Sequence, residues 1–494
     1  MIRTLFLFLL LAATVTPLWA ASLEEKVVEH TLKNGMKLLM VERHTSPTVS
    51  AWIRFRVGSV NERSDERGIA HLLEHMLFKG TTTLGTKDYA AEKPLLDAIE
   101  SVAGQLIAEK ARHPQESTTR SAELEKKLAA LEAEAGTYVI KDEFFELYSK
   151  HGGTGYNAFT SRDGTTYLIN LPANKLELWA SIESDRLRNP VLREFYTERS
   201  VVMEERRRSY EADPENKLWE TFLAASFLTH PYGQPTIGWM SDIESLTRTK
   251  AEQFLHSYYA PNNAIVAIVG DIDTAKTIAL VERYFGGIAP GKEPLPVTAT
   301  EPPQGGERRI ELVADAEPSL LMGFHKPAIG TPDDYVFDVI TMILGSGRTS
   351  RFHKKLVVEQ QLTSDIGVFD APGHIYPNLF LINAATRAPH TLAELEKAIL
   401  AELELLKTVP VAERDLQRIL NKMEFEEARR MGTNGGLARN LTEYEATTGS
   451  WRYMVRQRGK ITQVTPADIK RVAATYFTRE NRLVGFISKK GDTK

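Results

Sequence analysis

The segment HLLEHMLFKG, which begins at His71, combines two histidines and a glutamate with leucine, methionine and phenylalanine. At 3.6 residues per turn, a helix places His71, Glu74 and His75 at positions i, i+3 and i+4, on one face. The three polar side chains can therefore converge on one point, although the rest of the segment is apolar.

Two imidazoles one helical turn apart can bind one cation, and a carboxylate beside them can take a proton from a water molecule on that cation. The order H-x-x-E-H is the inverted form of the zinc peptidase motif H-E-x-x-H. The alternative is structural, because a lone histidine in an apolar helix is more often a hydrogen-bonded core residue than a ligand. The pair with its glutamate favours a metal site, provided that the chain supplies a third ligand.

Zinc held by two histidines needs a third protein ligand and keeps its fourth position for water. The predicted helix FYTERSVVMEERRRSY offers three glutamates. Glu198 and Glu205 are seven residues apart and share a face with Val201 and Val202 between them. Glu204 is turned by about 100° from Glu205, toward the arginine-rich side.

Carboxylates are rarely buried unless they are paired or bound to metal, so two acids beside valines on one face are unusual for a purely structural helix. We expect Glu205 to be the third ligand. Glu198 is expected to stand behind the metal or to be the partner of a ligating histidine. The alternative is a surface network of i, i+4 pairs with Arg206 to Arg208, which periodicity alone favours equally.

The composition is typical of a soluble globular protein, with 42% hydrophobic and 26% charged residues among 494. This length predicts two to four domains. The formal charge of −4 and the absence of long runs of like charge argue against nucleic acid as a partner. The chain has no cysteine, so a zinc site must use histidine, aspartate or glutamate.

The amino terminus, MIRTLFLFLLLAATVTPLWAAS, has Arg3 followed by an apolar run to about Val15 and small residues around Ala20. This is the layout of a secretory signal peptide over residues 1–20. An uncleaved membrane anchor is the alternative, but the apolar run is shorter than the roughly 20 residues that span a bilayer. We expect an exported mature chain with no membrane span, in the periplasm or secreted.

Two segments of the chain repeat one order of elements. VVEHTLKNGMKLLMVERH predicts a hairpin around Asn34-Gly35, and SPTVSAWIRFRVGSV predicts a half-buried strand before the motif helix. After the Gly- and Pro-rich residues 286–306, EPSLLMGFHKPAIG predicts a strand and DDYVFDVITMILGSG predicts a helix. The second half therefore resembles the first.

The second copy lacks the metal ligands. To within one residue, Phe337, Ile340 and Thr341 stand at the places of the two histidines and the glutamate of the motif helix. A twofold pseudo-repeat is the simplest architecture. The predicted fold class is α+β, with two tandem homologous domains, each a mixed, largely antiparallel sheet packed with helices.

The first half also carries an insertion. AAEKPLLDAIESVAGQLIAEKA and SAELEKKLAALEAEAG predict an antiparallel helical hairpin with a solvated charged face. The predicted division of the chain is a signal peptide at 1–20, a zinc-binding peptidase domain at 22–288 with the helical insertion at about 90–145, a linker at 289–306 and a C-terminal domain without metal ligands at 307–490.

The ordered motifs HLLEH, GGTGYNAFTSRDGTTY, ERSVVMEE, HPYGQPTIGWMSDIESLT and YYAPNNAIVAIVGDID resemble the pitrilysin/insulinase family of zinc peptidases. The likeness covers nearly the whole chain and is closest to the branch with two domains per chain, like mitochondrial processing peptidase. It implies one zinc ion per chain, bound by His71, His75 and Glu205. It also implies that Glu74 is the general base and Glu198 the acid behind the metal.

The resemblance further implies an endopeptidase that hydrolyses peptides or unfolded segments. NAFTS, which begins at Asn157, predicts a strand, and in the family the equivalent edge takes the substrate as an added strand. Asn157 and Ala158 would supply contacts at backbone level, and Phe159 would line a side-chain pocket. The alternative for Phe159 is a core aromatic of the strand, which is equally favoured.

Two departures from the family pattern stand out. The gap between His75 and Glu205 is longer than usual, and the helical insertion accounts for the excess. The family's second half carries an Arg and, seven residues later, a Tyr that contact substrate, whereas this chain has Val357 and Ser364 there. We therefore expect a heterodimer with a homologous chain that lacks H-x-x-E-H but carries the Arg and Tyr; a homodimer is the alternative.

The competing function is a noncatalytic peptide-binding or chaperone-like subunit on the same scaffold. Loss of His71, Glu74, His75 or Glu205 would favour that function, and all four are present. A zinc-stabilised structural domain is disfavoured because no fourth protein ligand is apparent to close the site. The sequence therefore favours the zinc peptidase.

Overall fold

The computed structural model describes residues 23–113 and 117–489. Two β-sheets, one in each half of the chain, organise the fold. The predicted signal peptide at 1–20 lies outside the described residues. None of the described helices is both long and apolar enough to cross a membrane.

The first sheet has six strands in the order β1-β2-β6-β3-β5-β4. Its strands are β1 (Val28–Thr31), β2 (Lys37–Glu42), β3 (Thr48–Phe55), β4 (Thr154–Thr160), β5 (Thr165–Pro172) and β6 (Ala264–Gly270). The pair β2 and β6 is parallel, and the other neighbours are antiparallel. The predicted hairpin around Asn34-Gly35 is confirmed as β1 and β2, and Gly35 adopts the positive φ of 87° that the turn requires.

Ten α-helices are described between residues 69 and 285 of this half. They are α1 (Ile69–Met76), α2 (Tyr89–Arg112), α3 (Thr119–Gly136), α4 (Glu143–Lys150), α5 (Leu176–Arg188), α6 (Phe195–Arg206), α7 (Pro214–Ser226), α8 (Met240–Ser245), α9 (Arg248–Tyr258) and α10 (Thr274–Phe285). The helix predicted from H-x-x-E-H is α1, and the helix predicted to carry Glu198 and Glu205 is α6.

The second sheet has five strands in the order β7-β11-β8-β10-β9. Its strands are β7 (Arg308–Val313), β8 (Ser319–Lys326), β9 (Thr363–Ala371), β10 (Asn378–Thr386) and β11 (Arg482–Ser488). The pair β7 and β11 is parallel, and the other pairs are antiparallel. The strand order β7-β11-β8-β10-β9 thus matches β2-β6-β3-β5-β4 of the first sheet, in which only the first pair is parallel. This matched topology confirms the predicted α+β fold of two homologous units with mixed, largely antiparallel sheets.

The helices of the second half are α11 (Pro332–Gly345), α12 (Leu392–Thr408), α13 (Glu413–Arg430), α14 (Asn434–Thr448), α15 (Tyr453–Ile461) and α16 (Pro466–Tyr476). α11 follows β8 as α1 follows β3. Residues 286–307 between α10 and β7 form no helix or strand, and the predicted linker 289–306 lies within them.

Each sheet packs against a helix from the other half of the chain. Leu437 and Leu441 of α14 share an apolar cluster with Trp52 and other side chains of the first sheet. Leu218 and Phe222 of α7 share another with residues of the second sheet. Burial of apolar surface contributes about 25 cal/mol per Å² to stability. Both clusters bury apolar surface between the two halves, so they hold the halves together as one packed unit.

The predicted helical hairpin is formed by α2 and α3. Near its tip, Lys110 pairs with Glu125 at 2.8 Å, and this contact stays within the hairpin. Near its base, Glu100 accepts a hydrogen bond of 2.6 Å from Tyr196 of α6. The described residues near the tip thus pair within the hairpin, whereas the base contacts the helix that carries Glu198 and Glu205.

Deleting residues 109–121 and closing the chain with a short glycine-serine turn should leave the fold intact, because the side-chain contacts of the described residues in this stretch stay within the hairpin. Thermal unfolding should shift by less than about 3 °C. A longer deletion, of residues 97–132, removes the contact with Tyr196 and should lower the unfolding temperature well beyond that. Equal losses in both variants would contradict the distinction between tip and base.

Candidate metal centre

α1 presents a buried apolar side and a polar side. Ile69, Leu72, Leu73 and Met76 are buried in the core of the first half. The motif's two histidines and glutamate occupy the opposite, partly exposed side, as the helical spacing predicts. Burial of the apolar side therefore fixes the direction in which the polar side chains point.

α6 brings the acidic residues to this polar side. Val202 is fully buried, whereas Val201 is 48% exposed. The expectation that both valines line one apolar face is therefore wrong for Val201. Glu198 and Glu205 lie on α6 between a buried side, which carries Val202, and an exposed side, which carries Val201. Glu198 is mostly buried beside α1, and Glu205 follows two turns later on the same face.

His71, His75 and Glu205 form a group whose candidate ligand atoms all lie within 4.8 Å of one another. The Nε2 atoms of His71 and His75 lie 3.9 and 3.7 Å from the two carboxylate oxygens of Glu205. Tetrahedral bonds of about 2.0–2.2 Å separate two ligands of one zinc ion by roughly 3.4 Å. The observed separations are close to that distance, so the three residues fit one zinc ion.

Glu204 points away from the group. Its side chain is 70% exposed and pairs with Arg207 at 3.2 Å. Glu205 is only 32% exposed and faces both histidines. The predicted rotation of about 100° between neighbouring helical residues thus separates a surface ion pair from the candidate ligand.

Glu198 links His75 to a cation. His75 Nδ1 lies 2.9 Å from Glu198 Oε1, and Lys79 Nζ lies 2.6 Å from Glu198 Oε2. Burial acts to raise the pKa of Glu198, but the two hydrogen-bond donors outweigh it and lower the pKa to about 2. An ionised Glu198 holds the Nδ1–H tautomer of His75, which leaves Nε2 free to bind a metal.

The two histidines have opposite electrostatic environments. Burial and the neighbouring His75 lower the pKa of His71 to about 3, so His71 is in the neutral form that binds metals. Burial also acts to lower the pKa of His75, but Glu198, with smaller effects of Glu205 and Glu74, raises it overall. The surrounding carboxylates therefore favour a positive charge at His75, such as that of a metal ion.

Glu74 stands beside the ligand group and is held from the end of β4. The Thr160 hydroxyl donates a hydrogen bond of 2.6 Å to Glu74 Oε2. Burial raises the pKa of Glu74, although this hydrogen bond acts in the opposite direction. A carboxylate with a raised pKa is a better proton acceptor than one with an ordinary pKa.

β4 is an edge strand, paired only with β5 among the described strands. Ala158 is buried on the side of the sheet that faces α1. Phe159 faces the opposite side, where its ring lies 6.3 Å from that of Trp52. Asn157 is exposed. The three predicted substrate residues therefore lie on one open edge, but their side chains alternate between the two sheet faces.

Sequence reasoning missed Lys79 and Thr160, which orient Glu198 and Glu74. Lys79 belongs to the quoted motif HLLEHMLFKG, four residues after His75, so its helical spacing was a usable signal. No periodicity connects Thr160 with Glu74. The contact depends on how β4 and α1 pack.

The equivalent place in the second half is occupied differently. Phe337 and Ile340 of α11 are fully buried, as expected for a copy without metal ligands. Nearby, Asp334, Asp338 and Asp370 form a second group of clustered carboxylates. The Lys326 ammonium lies 2.7 Å from Asp334 and also pairs with Asp370. An internal cation thus already pairs with two of the three carboxyl groups.

Family models match most of the chain. The model described as insulinase (peptidase family M16) matches residues 37–131 and 134–239, and the model described as peptidase M16 inactive domain matches residues 245–423. The chain therefore belongs to the insulinase family, peptidase family M16. The inactive-domain match falls mainly on the half that lacks the metal ligands.

A curated relative agrees with this assignment, and solved structures share the fold. The zinc protease PqqE of Helicobacter pylori is 26% identical over 456 residues, which cover 90% of this chain and 89% of that protein. The crystal structure of a protease from Helicobacter pylori has a TM-score of 0.78 and 24% identity, covering 94% and 99% of the two chains. The periplasmic protease PqqL of Escherichia coli has a TM-score of 0.70 and 16% identity, covering 94% of this chain and 48% of that chain.

Replacing Glu205 with Gln should abolish zinc binding, because the amide is a much weaker ligand than the carboxylate. The purified wild-type chain should hold one zinc per chain by elemental analysis, and Glu205→Gln should hold none. Glu204→Gln is the matched control, since its side chain points to solvent. Loss of zinc in Glu204→Gln with retention in Glu205→Gln would reverse the assignment.

Proposed function

We propose that this chain is a zinc-dependent endopeptidase that hydrolyses peptides or unfolded segments. The observation that carries the proposal is the convergence of His71, His75 and Glu205 with Glu74 beside them. The family assignment and the names of the relatives as zinc proteases support it. The alternative is a noncatalytic peptide-binding or chaperone-like subunit, and the match of the second half to an inactive domain keeps that alternative open.

His71, His75 and Glu205 would hold one zinc ion. When bound, zinc lowers the pKa of a water ligand to about 7 and polarises the peptide carbonyl group. The ligand group has three members among the described residues. Three protein ligands leave a position for water or substrate, which distinguishes catalytic from structural zinc sites.

Glu74 would act as the general base. Its Oε2 accepts the hydrogen bond from the Thr160 hydroxyl, which would orient the carboxylate to take the proton of the attacking water. The same carboxyl group would then deliver the proton to the departing amine. Thr160 would orient Glu74, while Glu198 and Lys79 would orient His75 behind the metal.

The open edge of β4 would bind the substrate as an added antiparallel strand. Main-chain groups of Asn157 and Ala158 would pair with the peptide, which gives affinity with little dependence on sequence. Because side chains alternate along a strand, those of the peptide would also alternate between the face of Ala158 and the face of Phe159. Phe159 packs against Trp52, so it would contact the peptide only on the face away from Glu74.

Glu74→Gln should retain one zinc per chain and lose peptide hydrolysis by a factor of about 10² to 10⁴, because the amide cannot accept the proton. The measurements are zinc content and turnover of a quenched fluorescent peptide library. Glu204→Gln should keep both properties. A wild-type chain that binds zinc and peptide without cleavage, alone and with a homologous partner, would favour the noncatalytic alternative.

We propose further that the active species is a heterodimer. Ser364 lies exposed on β9 and Val357 lies partly buried before it, and neither side chain can donate the hydrogen bonds of a guanidinium or a phenol. A homologous chain that lacks H-x-x-E-H but carries the Arg and Tyr would supply these donors. A homodimer would close over its substrate without them.

Adding such a homologous chain should raise peptide turnover by roughly 10² to 10³, the effect of one donor to the transition state. The experiment compares the purified chain alone with the mixture. A partner variant whose Arg and Tyr are replaced by Val and Ser is the control, and it should not stimulate turnover. Full activity of the chain alone, unchanged by the partner, would contradict the heterodimer.

Export to the periplasm, or secretion, is proposed from the amino-terminal sequence. Arg3, the apolar run after it and the small residues at Ala20 have the order of a cleavable signal. The similar Escherichia coli protein PqqL is a periplasmic protease. Both observations support a mature chain that acts outside the cytoplasm.

A further inference from the structure

Glu62 lies on the loop between β3 and α1. Its two carboxylate oxygens accept hydrogen bonds from the backbone N–H groups of Gly68 and Ala70, both at 2.9 Å. These N–H groups lie at the start of α1, where a helix leaves its first donors without internal partners. One distant side chain therefore supplies acceptors for two of them.

The residue that normally caps a helix cannot do so here. The N-cap position of α1 is Gly68, with φ of 93°, and it has no capping side chain. A Cβ atom at Gly68 would lie 2.5 Å from the carbonyl oxygen of Ile237. Ser, Thr, Asp and Asn, the residues that usually cap a helix, are therefore excluded at this position. The hydrogen-bond acceptor must come from elsewhere in the chain, and Glu62 supplies it.

The two candidate zinc-binding histidines of α1 are not held in the same way. His75 is oriented through Nδ1 by Glu198. The Nδ1 atom of His71 is buried and has no hydrogen-bond partner among the described residues. Ligating histidines usually donate this N–H to an orienting group. The placement of His71 must therefore depend on its backbone, and Ala70, which Glu62 holds, is the preceding residue.

We infer that Glu62 is a positioning residue of the metal centre, which fixes His71 through the first turn of α1 as Glu198 fixes His75 through its ring. The inference rests on the proposed zinc site. Burial raises the pKa of Glu62 to about 8, against the effect of the two N–H donors and of Arg162. Both oxygens of the neutral acid retain lone pairs that can accept from these N–H groups, whereas the amide nitrogen of a glutamine could not.

The test is the zinc affinity of the full mature chain, measured by competition with a chromogenic chelator. Glu62→Gln preserves the size of the side chain but turns an N–H₂ group toward one backbone donor. We expect its zinc affinity to fall by a factor of about 10 to 100, the usual effect of losing an orienting group. Glu62→Ala should lose at least as much, and if it does not fold, Glu62→Gln carries the test.

Glu66→Gln is the matched control, because Glu66 lies on the same loop and its side chain has no hydrogen bond or ion pair among the described residues. It should bind zinc like the wild type. The absorption spectrum of the cobalt-substituted protein is the second readout, and it should change in Glu62→Gln but not in Glu66→Gln.

A purely structural cap would give a different result. Glu62→Gln would then lower the unfolding temperature of the metal-free chain while zinc affinity and the cobalt spectrum stayed at wild-type values, and that outcome would overturn the inference. If the wild-type chain itself bound no zinc, the proposed function would fail together with the role of Glu62. Wild-type binding with equal binding by the variant would remove only the role of Glu62.

Discussion

The position of α1 is the constraint on which the candidate site depends. With eight residues, α1 is too short to be stable alone. Its apolar side packs into the core of the first half, and Gly68 lies against the turn at Ile237 and Gly238. The same turn accepts a hydrogen bond from Arg206, the neighbour of Glu205. One turn therefore contacts both helices that carry the candidate zinc ligands and fixes how they cross.

Three carboxylates around α1 have different surroundings. Glu198 is ionised between His75 and Lys79, and it orients a ligand. Glu74 accepts a hydrogen bond from the Thr160 hydroxyl, and burial raises its pKa, which suits a base. Glu205 is the most exposed of the candidate ligands and faces both histidines. Burial and hydrogen-bond donors thus give identical chemical groups different proton affinities, which suit them to the different roles proposed for them.

The second half repeats the topology of the first but has a different chemistry. Where the first half gathers imidazoles that can bind an external cation, the second gathers aspartates around the buried ammonium of Lys326. α7 of the first half packs on the second sheet, and α14 of the second half packs on the first sheet, so each half contributes to the core of the other. The second half therefore contributes packing to the first even without metal ligands, and Ser364 is exposed on its strand β9.

The sequence by itself determined what depends on neighbours within one helix: His71, Glu74 and His75 on one side of α1, and Glu205 rather than Glu204 toward them. It also predicted the repeated sheets, since strand alternation and the Gly- and Pro-rich stretch are local signals. Only the tertiary structure decided the contacts between distant segments. Thr160 reaches Glu74 across 86 positions and Glu198 reaches His75 across 123, and the exposure of Val201 depends on which flank of α6 is packed. Helical spacing fixes angles within an element, whereas packing between elements selects which side chains meet.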